Sequence, residues 1–115
     1  MLGYSRAVRD GDHIWVSATA PVDIDGRLVG AGDAEAQAGH ILSVIGAAVA
    51  ELGSSMADVV RTRIYLRSFA DLELVARAHR VAFPVNPPAC TVIAVADLVL
   101  PEMRVYIEAE AKTAP

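Results

Sequence analysis

The chain has 115 residues, enough for one domain whose core needs neither disulfide nor metal to hold it, and too few for two. It is 54% hydrophobic, 21% charged and 5% aromatic, with a mean hydropathy of +0.39, which excludes intrinsic disorder. The formal net charge of -4 and pI near 5.2 offer no attraction to phosphate backbones or anionic lipid, so no nucleic acid and no membrane is expected as a partner.

So much Ala, Val, Ile and Leu on so small a domain exceeds what one copy can bury, and a homo-oligomer is expected. The longest apolar stretch, Ile41 to Ala50, is interrupted by Ser43 and falls well short of the ~20 residues that cross a bilayer. The segment from Met1 to Arg6 lacks the apolar core of a secretory signal. Cys90 is the one cysteine, so no internal disulfide forms, which fits a reducing cytoplasm.

In chain order, Tyr4 to Arg9 and His13 to Ala18 flank the turn signal Asp10-Gly11-Asp12 and are expected to form a hairpin. Asp23-Ile24-Asp25-Gly26 predicts a second turn, followed by a short strand over Arg27 to Val29. The D-x-D-G string also opens a calcium loop, but Ala34 stands where the twelfth-position glutamate belongs, so the turn reading is preferred. Ala38, Ile41, Leu42, Ile45, Ala48, Val49 and Leu52 recur at helical spacing, with Asp33 as N-cap and Gly53 as the stop. A second amphipathic helix is expected after Ser68, whose spacing to Asp71 resembles a capping box. It carries Leu72, Val75, Ala78, His79, Ala82 and Phe83 and ends at Pro84. Val59 to Arg67 forms a strand between the helices, and Cys90 to Ala96 and Met103 to Ala111 form two more after Pro87-Pro88.

The order of strands, helix, strand, helix, strand, strand indicates an α+β fold with both helices on one face of a mixed sheet. That face is expected to take Ile14, Val16 and Ala18, then Val60, Ile64 and Leu66, then Met103, Val105, Ile107 and Ala109. The opposite face receives His13, Trp15 and Ser17, then Arg61, Arg63, Tyr65 and Arg67, then Arg104, Tyr106, Glu108 and Glu110. Its basic and acidic rows can pair across strands or across subunits, and such a face suits an oligomer interior better than open water.

His13, His40 and His79 fall on different elements, and no HExxH, paired CxxC or carboxylate cluster exists, so no metal is expected. His79, on the helix stripe, reads as a packed or hydrogen-bonded core histidine. No G-x-S-x-G, P-loop or G-x-G-x-x-G string supports a hydrolase elbow or a nucleotide site.

Tyr4-Ser5-Arg6-Ala7-Val8, Trp15-Val16-Ser17-Ala18-Thr19-Ala20-Pro21, Pro88-Ala89-Cys90-Thr91-Val92 and Ile107-Glu108-Ala109-Glu110-Ala111 resemble the YjgF/RidA family of reactive-intermediate deaminases. Leu52 to Val60 and Phe69-Ala70-Asp71 fit in the same order and spacing, so the resemblance spans nearly the whole chain. It implies a chorismate-mutase-like fold and a homotrimer whose sheets form a central barrel, with small-molecule pockets at the subunit interfaces. Active members hydrolyse imines or enamines to a keto acid and ammonia without cofactor or metal. An arginine binds the substrate carboxylate, and a glutamate with a backbone carbonyl positions the attacking water.

By that resemblance Tyr4 and Ser17 are substrate-binding, Glu108 is the catalytic glutamate, and Val92 supplies the carbonyl. Cys90 stands where the arginine is expected, Ala18 where a glycine usually follows the serine, and Ala76 where an asparagine is common. A thiol cannot reproduce the two charge-assisted bonds of a guanidinium, so ordinary 2-imino acids are expected to be poor substrates. Arg63 or Arg104 from a neighbouring subunit could substitute, against a structural role in the charged sheet face. Cys90 is either a reactive thiol or a small buried hydrophobe, and Glu108 either catalytic or a salt-bridge partner. Two function classes stay open: a deaminase of an imine, enamine or related small molecule that lacks the usual carboxylate, and a non-catalytic trimer that binds a metabolite or a partner protein. A ribonuclease role, attributed to some relatives, conflicts with the acidic charge.

Overall fold

The computed structural model describes residues 2–114. Its elements are β1 (Ala7–Asp10), β2 (His13–Thr19), α1 (Ala34–Glu51), β3 (Val59–Leu66), α2 (Leu72–Ala82), β4 (Ala89–Ala94) and β5 (Val105–Lys112), with single 3-10 turns at Met56–Asp58 and Phe69–Asp71. The strands form one sheet in the order β1-β2-β5-β3-β4. Only β3 and β4 pair in parallel, so the sheet is mixed, as the order of elements indicates.

Both helices lie on one face for a topological reason. β2 and β3 each run antiparallel to β5 and are therefore parallel to one another, while β4 is parallel to β3. The connections through α1 and α2 step the same way across the sheet, so crossovers of one hand put both helices on the same side. The last strand, β5, slots between β2 and β3 and becomes the centre of the sheet. Ile14, Ile41, Ile45, Leu66, Val75 and Ile107 are fully buried between the layers, each contributing roughly 1.5–3 kcal/mol of transfer free energy.

In the β1-β2 hairpin Asp10 faces His13, and Gly11, with φ 62, supplies the positive φ that the first central position of a type II′ turn requires. Asp33 accepts the Ala36 N–H at 3.0 Å and starts α1. The helix ends in a Schellman motif, where Ser54 N–H donates to Val49 O at 2.9 Å and Gly53 N–H to Ala50 O at 3.1 Å. The Arg9 guanidinium of β1 donates to Leu52 O at 2.6 Å, so a cation of the sheet closes the negative end of the helix.

Several expectations are corrected. Arg27 to Val29 is not a strand; a single bridge joins Val22 to Leu28, because Asp23 Oδ1 takes the N–H groups of Asp25 and Arg27, each at 2.9 Å, and folds the segment into a turn. Ser68 does cap, accepting from Ala70 N–H at 3.1 Å. Asp71 completes no capping box: its carboxylate receives Arg104 Nε at 2.6 Å instead. Ala18 and Val60 leave the helix-side face. The pairing register shifts between Val16 and Thr19 and between Val59 and Arg61, and each irregularity turns the following residue over. Thr19 and Val59 are buried in their place, while Val60 is half exposed. Met103 is buried but lies ahead of β5, in a turn whose N–H bonds back to Leu100 O at 3.1 Å.

His79 is a hydrogen-bonded histidine, half-buried, with Nε2 2.9 Å from Thr62 Oγ1 on β3. Burial pushes it below its ordinary value of 6.5. A base held neutral in the fold contributes stability that is complete above the unfolded value and is lost as pH falls through the folded one. Urea denaturation should therefore show stability declining as pH drops below 6.5, with a flatter profile in His79→Gln. For the second buried contact, Arg104→Ala strands the Asp71 carboxylate, which is 7% exposed. It should lower unfolding free energy by about 1–3 kcal/mol, more than Arg80→Ala, whose pair with Glu73 is exposed and screened by solvent.

Candidate functional site

β5 alternates strictly, with Val105, Ile107, Ala109 and Ala111 buried under the helices and Tyr106, Glu108 and Glu110 turned to the open face. No helix covers this outward row. Glu110 is neutralised there: Oε1 receives Arg63 at 3.1 Å and Oε2 lies 3.3 Å from His13 Nε2, with the His13 ring stacked on Trp15 at 4.1 Å between centroids. Burial pushes the Glu110 carboxyl up, but the bonds from Arg63 and His13 outweigh it and leave the carboxyl below its ordinary range. The Arg61 guanidinium turns along the sheet to Thr91 Oγ1 at 2.6 Å, leaving its Nε buried without a partner.

Glu108 is held differently. Its carboxylate accepts a hydrogen bond from the Tyr65 hydroxyl on β3, and it enters no ion pair among the described residues. It lines a cavity of about 430 Å³ with Tyr65, Tyr106, Ala18 and Leu98. A larger cavity of about 800 Å³ adjoins it across Ala18 and Tyr106 and is walled by Tyr4, Arg6, Thr19 and His40. The irregularity in β2 that turns Ala18 outward thus shapes the wall common to both. Beneath the loops, Gln37 donates to Gly30 O and Glu102 O at 3.0 Å each and accepts from Arg104 N–H at 2.8 Å.

The residues selected from sequence do not all meet. Tyr4 and Glu108 line adjoining cavities. Ser17 lines neither; its hydroxyl donates to Ser5 O at 2.9 Å and straps the N-terminal segment across β2, which places Tyr4. Cys90 and Val92 lie on β4, at the sheet edge, paired with Thr62 and Ile64. Those partners face the helix layer, so Cys90 and Val92 point to the opposite side of the sheet from Glu108. Val92 packs against the core. Within one chain Cys90 is exposed, on a strand at the edge of the sheet.

Nor does either alternative arginine stand free. Arg104 turns under the sheet to Asp71, away from the row in which it was expected, and Arg63 is engaged by Glu110. Three contributors escape the sequence reading: Tyr65 as the partner of Glu108, Tyr106 as the common wall, and Arg6 in the larger cavity. The face alternation that assigned Tyr65 and Tyr106 to the open side carried the signal for two of them.

Among the described residues no three His, Cys, Asp or Glu side chains converge as a metal site requires, and no helix is long and apolar enough to cross a membrane. An apolar groove of about 480 Å³ between the helices, lined by Leu42, Gly46, Met56 and Val81, is remote from β5's outward row.

The Tyr65–Glu108 bond has a spectroscopic signature. The carboxylate's acceptance of the phenol proton, with burial adding to it, pushes Tyr65 above its ordinary value of 10.0. Removing the acceptor in Glu108→Ala should bring the phenol back toward 10.0, read as phenolate absorbance against pH with Tyr65→Phe identifying the band. An unchanged titration would contradict the bond.

The described architecture recurs in solved proteins. The Rv2704 structure from Mycobacterium tuberculosis, a YjgF/YER057c/UK114 family member, superposes with a TM-score of 0.86 at 36% identity, over 97% of this chain and 88% of that one. The YjgF gene product of E. coli gives 0.89 at 27% identity, over 99% and 91%. In sequence, the 3-aminoacrylate deaminase RutC of Acinetobacter baylyi is 32% identical over 104 residues, 90% of this chain and 82% of the relative. The family model described as Endoribonuclease L-PSP matches residues 1–113. With nearly its whole length matched in sequence and in fold, the chain belongs to the YjgF family that this model describes.

Proposed function

We propose that this protein is a small-molecule deaminase that hydrolyses a C=N bond at a site between subunits, with Glu108 as catalytic base. The observation that carries the reading is the state of Glu108: a carboxylate on a cavity wall, oriented by Tyr65 and not neutralised by a cation. Water adds to the carbon of a protonated imine as Glu108 accepts its proton. Glu108 returns that proton to the carbinolamine nitrogen and then takes the hydroxyl proton as the C–N bond breaks, so ammonia leaves and a carbonyl product remains. An enamine enters the same route once its β-carbon is protonated. No cofactor is required. Relationship to a protein named 3-aminoacrylate deaminase supports the reaction class.

A second copy of the chain supports the site, in the homotrimer that the family resemblance implies. Trp15, Val60 and Ile93 are each at least 40% exposed, Arg61 Nε awaits an acceptor, and Cys90 and Val92 face away from Glu108 within one chain. The Cys90 edge of one copy beside the Glu108 cavity of another joins the two halves. An exposed free thiol fits a reducing cytoplasm.

Cys90 in place of the carboxylate-binding arginine favours one rival, a trimer that binds a metabolite without turnover. The deciding experiment follows the decay of 3-aminoacrylate and of 2-iminopropanoate, each generated in situ, with wild type, Glu108→Gln and Cys90→Arg. Hydrolysis by wild type, reduced about 10²–10⁴-fold in Glu108→Gln, and 2-iminopropanoate accelerated only by Cys90→Arg, is expected. Saturable binding with no ammonia released from either compound establishes the rival. Activity unaffected by Glu108→Gln overturns the assigned base.

A further inference from the structure

Arg6 is the cation of the 800 Å³ cavity that adjoins Glu108. Its Nη1 donates to Ala18 O at 3.2 Å and to Thr19 Oγ1 at 3.1 Å, and its Nη2 to the Tyr4 hydroxyl at 3.2 Å. The Thr19 hydroxyl spends its own proton on Ser17 O at 2.8 Å, which turns a lone pair to the guanidinium. The Tyr4 ring lies 5.5 Å from the Arg6 carbon and supports it from one face. These bonds use three of the five N–H donors of an arginine and leave two, the number a carboxylate takes.

No carboxylate of the described residues claims that charge. The ion pairs occupy Arg63, Arg67, Arg77, Arg80 and Arg104. Asp23 lines the same cavity, but its Oδ1 is committed to the Asp25 and Arg27 N–H groups of its own turn. Tyr106 is the common wall; burial and the nearby Tyr4 push its phenol up against the opposing field of Arg6.

We propose that Arg6 binds the carboxylate of the ligand, in the role that Cys90 leaves unfilled. The inference rests on the reading of Glu108 above for its second half. Arg6 lines one cavity and Glu108 the next, with Ala18 and Tyr106 common to both. The anion and the reacting carbon are therefore held apart. The matching ligands are imines or enamines whose carboxylate is separated from the nitrogen-bearing carbon by at least one further carbon, rather than 2-imino acids, in which the two are bonded directly.

The test uses an unreactive pair, 3-hydroxypropanoate and its neutral amide 3-hydroxypropanamide, titrated by NMR against wild type, Arg6→Gln and Arg6→Lys. Wild type should bind the acid roughly tenfold to a hundredfold tighter than the amide. Arg6→Gln should abolish that preference with the amide's affinity unchanged, and Arg6→Lys should restore part of it. A merely structural arginine would weaken acid and amide together, and that result overturns the proposal, as does a wild type that binds the acid no better than the amide. Binding is read without turnover, so a protein that selects the acid through Arg6 but releases no ammonia from any C=N compound overturns only the deaminase reading. Hydrolysis that survives with acid preference independent of Arg6 overturns only this one.

Discussion

The strict alternation of β5 at the centre of the sheet is the constraint on which the rest depends. Val105, Ile107, Ala109 and Ala111 must be buried, and the residues between them have no choice of face because the side-chain period of a strand is two. Tyr106, Glu108 and Glu110 are thus presented together on the open side by the same packing that holds the core. A one-residue slip would drive two carboxylates under the helices and expose the aliphatic row. Stability and the position of the site are set by a single register.

That arrangement gives two glutamates of one strand different chemistry. Glu110 sits between Arg63 and His13 and is saturated by them. Glu108, one pleat away, meets a phenol on one side and a cavity on the other. A carboxylate held by a single phenol keeps its remaining lone pairs for a ligand, whereas one bonded to both Arg63 and His13 is structural. The neighbours across the strands, not the residue type, separate the two roles.

The helix layer contributes by exclusion. Because α1 and α2 fall on the same side, the opposite face stays uncovered within one chain; the Glu108 cavity opens on it, and the larger one runs from Tyr106 past the loops around Val22 and Leu100 to His40 and Val44 of α1. Gln37, fully buried, ties those loops to α1 through Gly30 and Glu102. A buried amide satisfied on every side is costly to disturb, so the cavity wall is fixed to the core although it is built from loop.

Much of this was legible in the residues. Helical spacing and caps marked α1 from Asp33 to Gly53, alternation marked β2 and β5, and the turn at Gly11 set the hairpin; all are local patterns, decided by periodicity and by backbone preferences of single residues. The resemblance of scattered segments marked Glu108 and Tyr4, and the face assignment put Tyr65 beside them. What the sequence by itself determined is therefore the two helices and five strands, the inward and outward rows of the central strand from Val105 onward, and the family to which they belong. Only the tertiary structure decided that β5 lies between β2 and β3, that Ala18 and Val60 turn over at irregular pairings, that Arg104 goes to Asp71, and that Cys90 points away from Glu108. Each of these depends on which distant segment becomes a neighbour and in what register, and long-range pairing leaves no periodic trace along the chain.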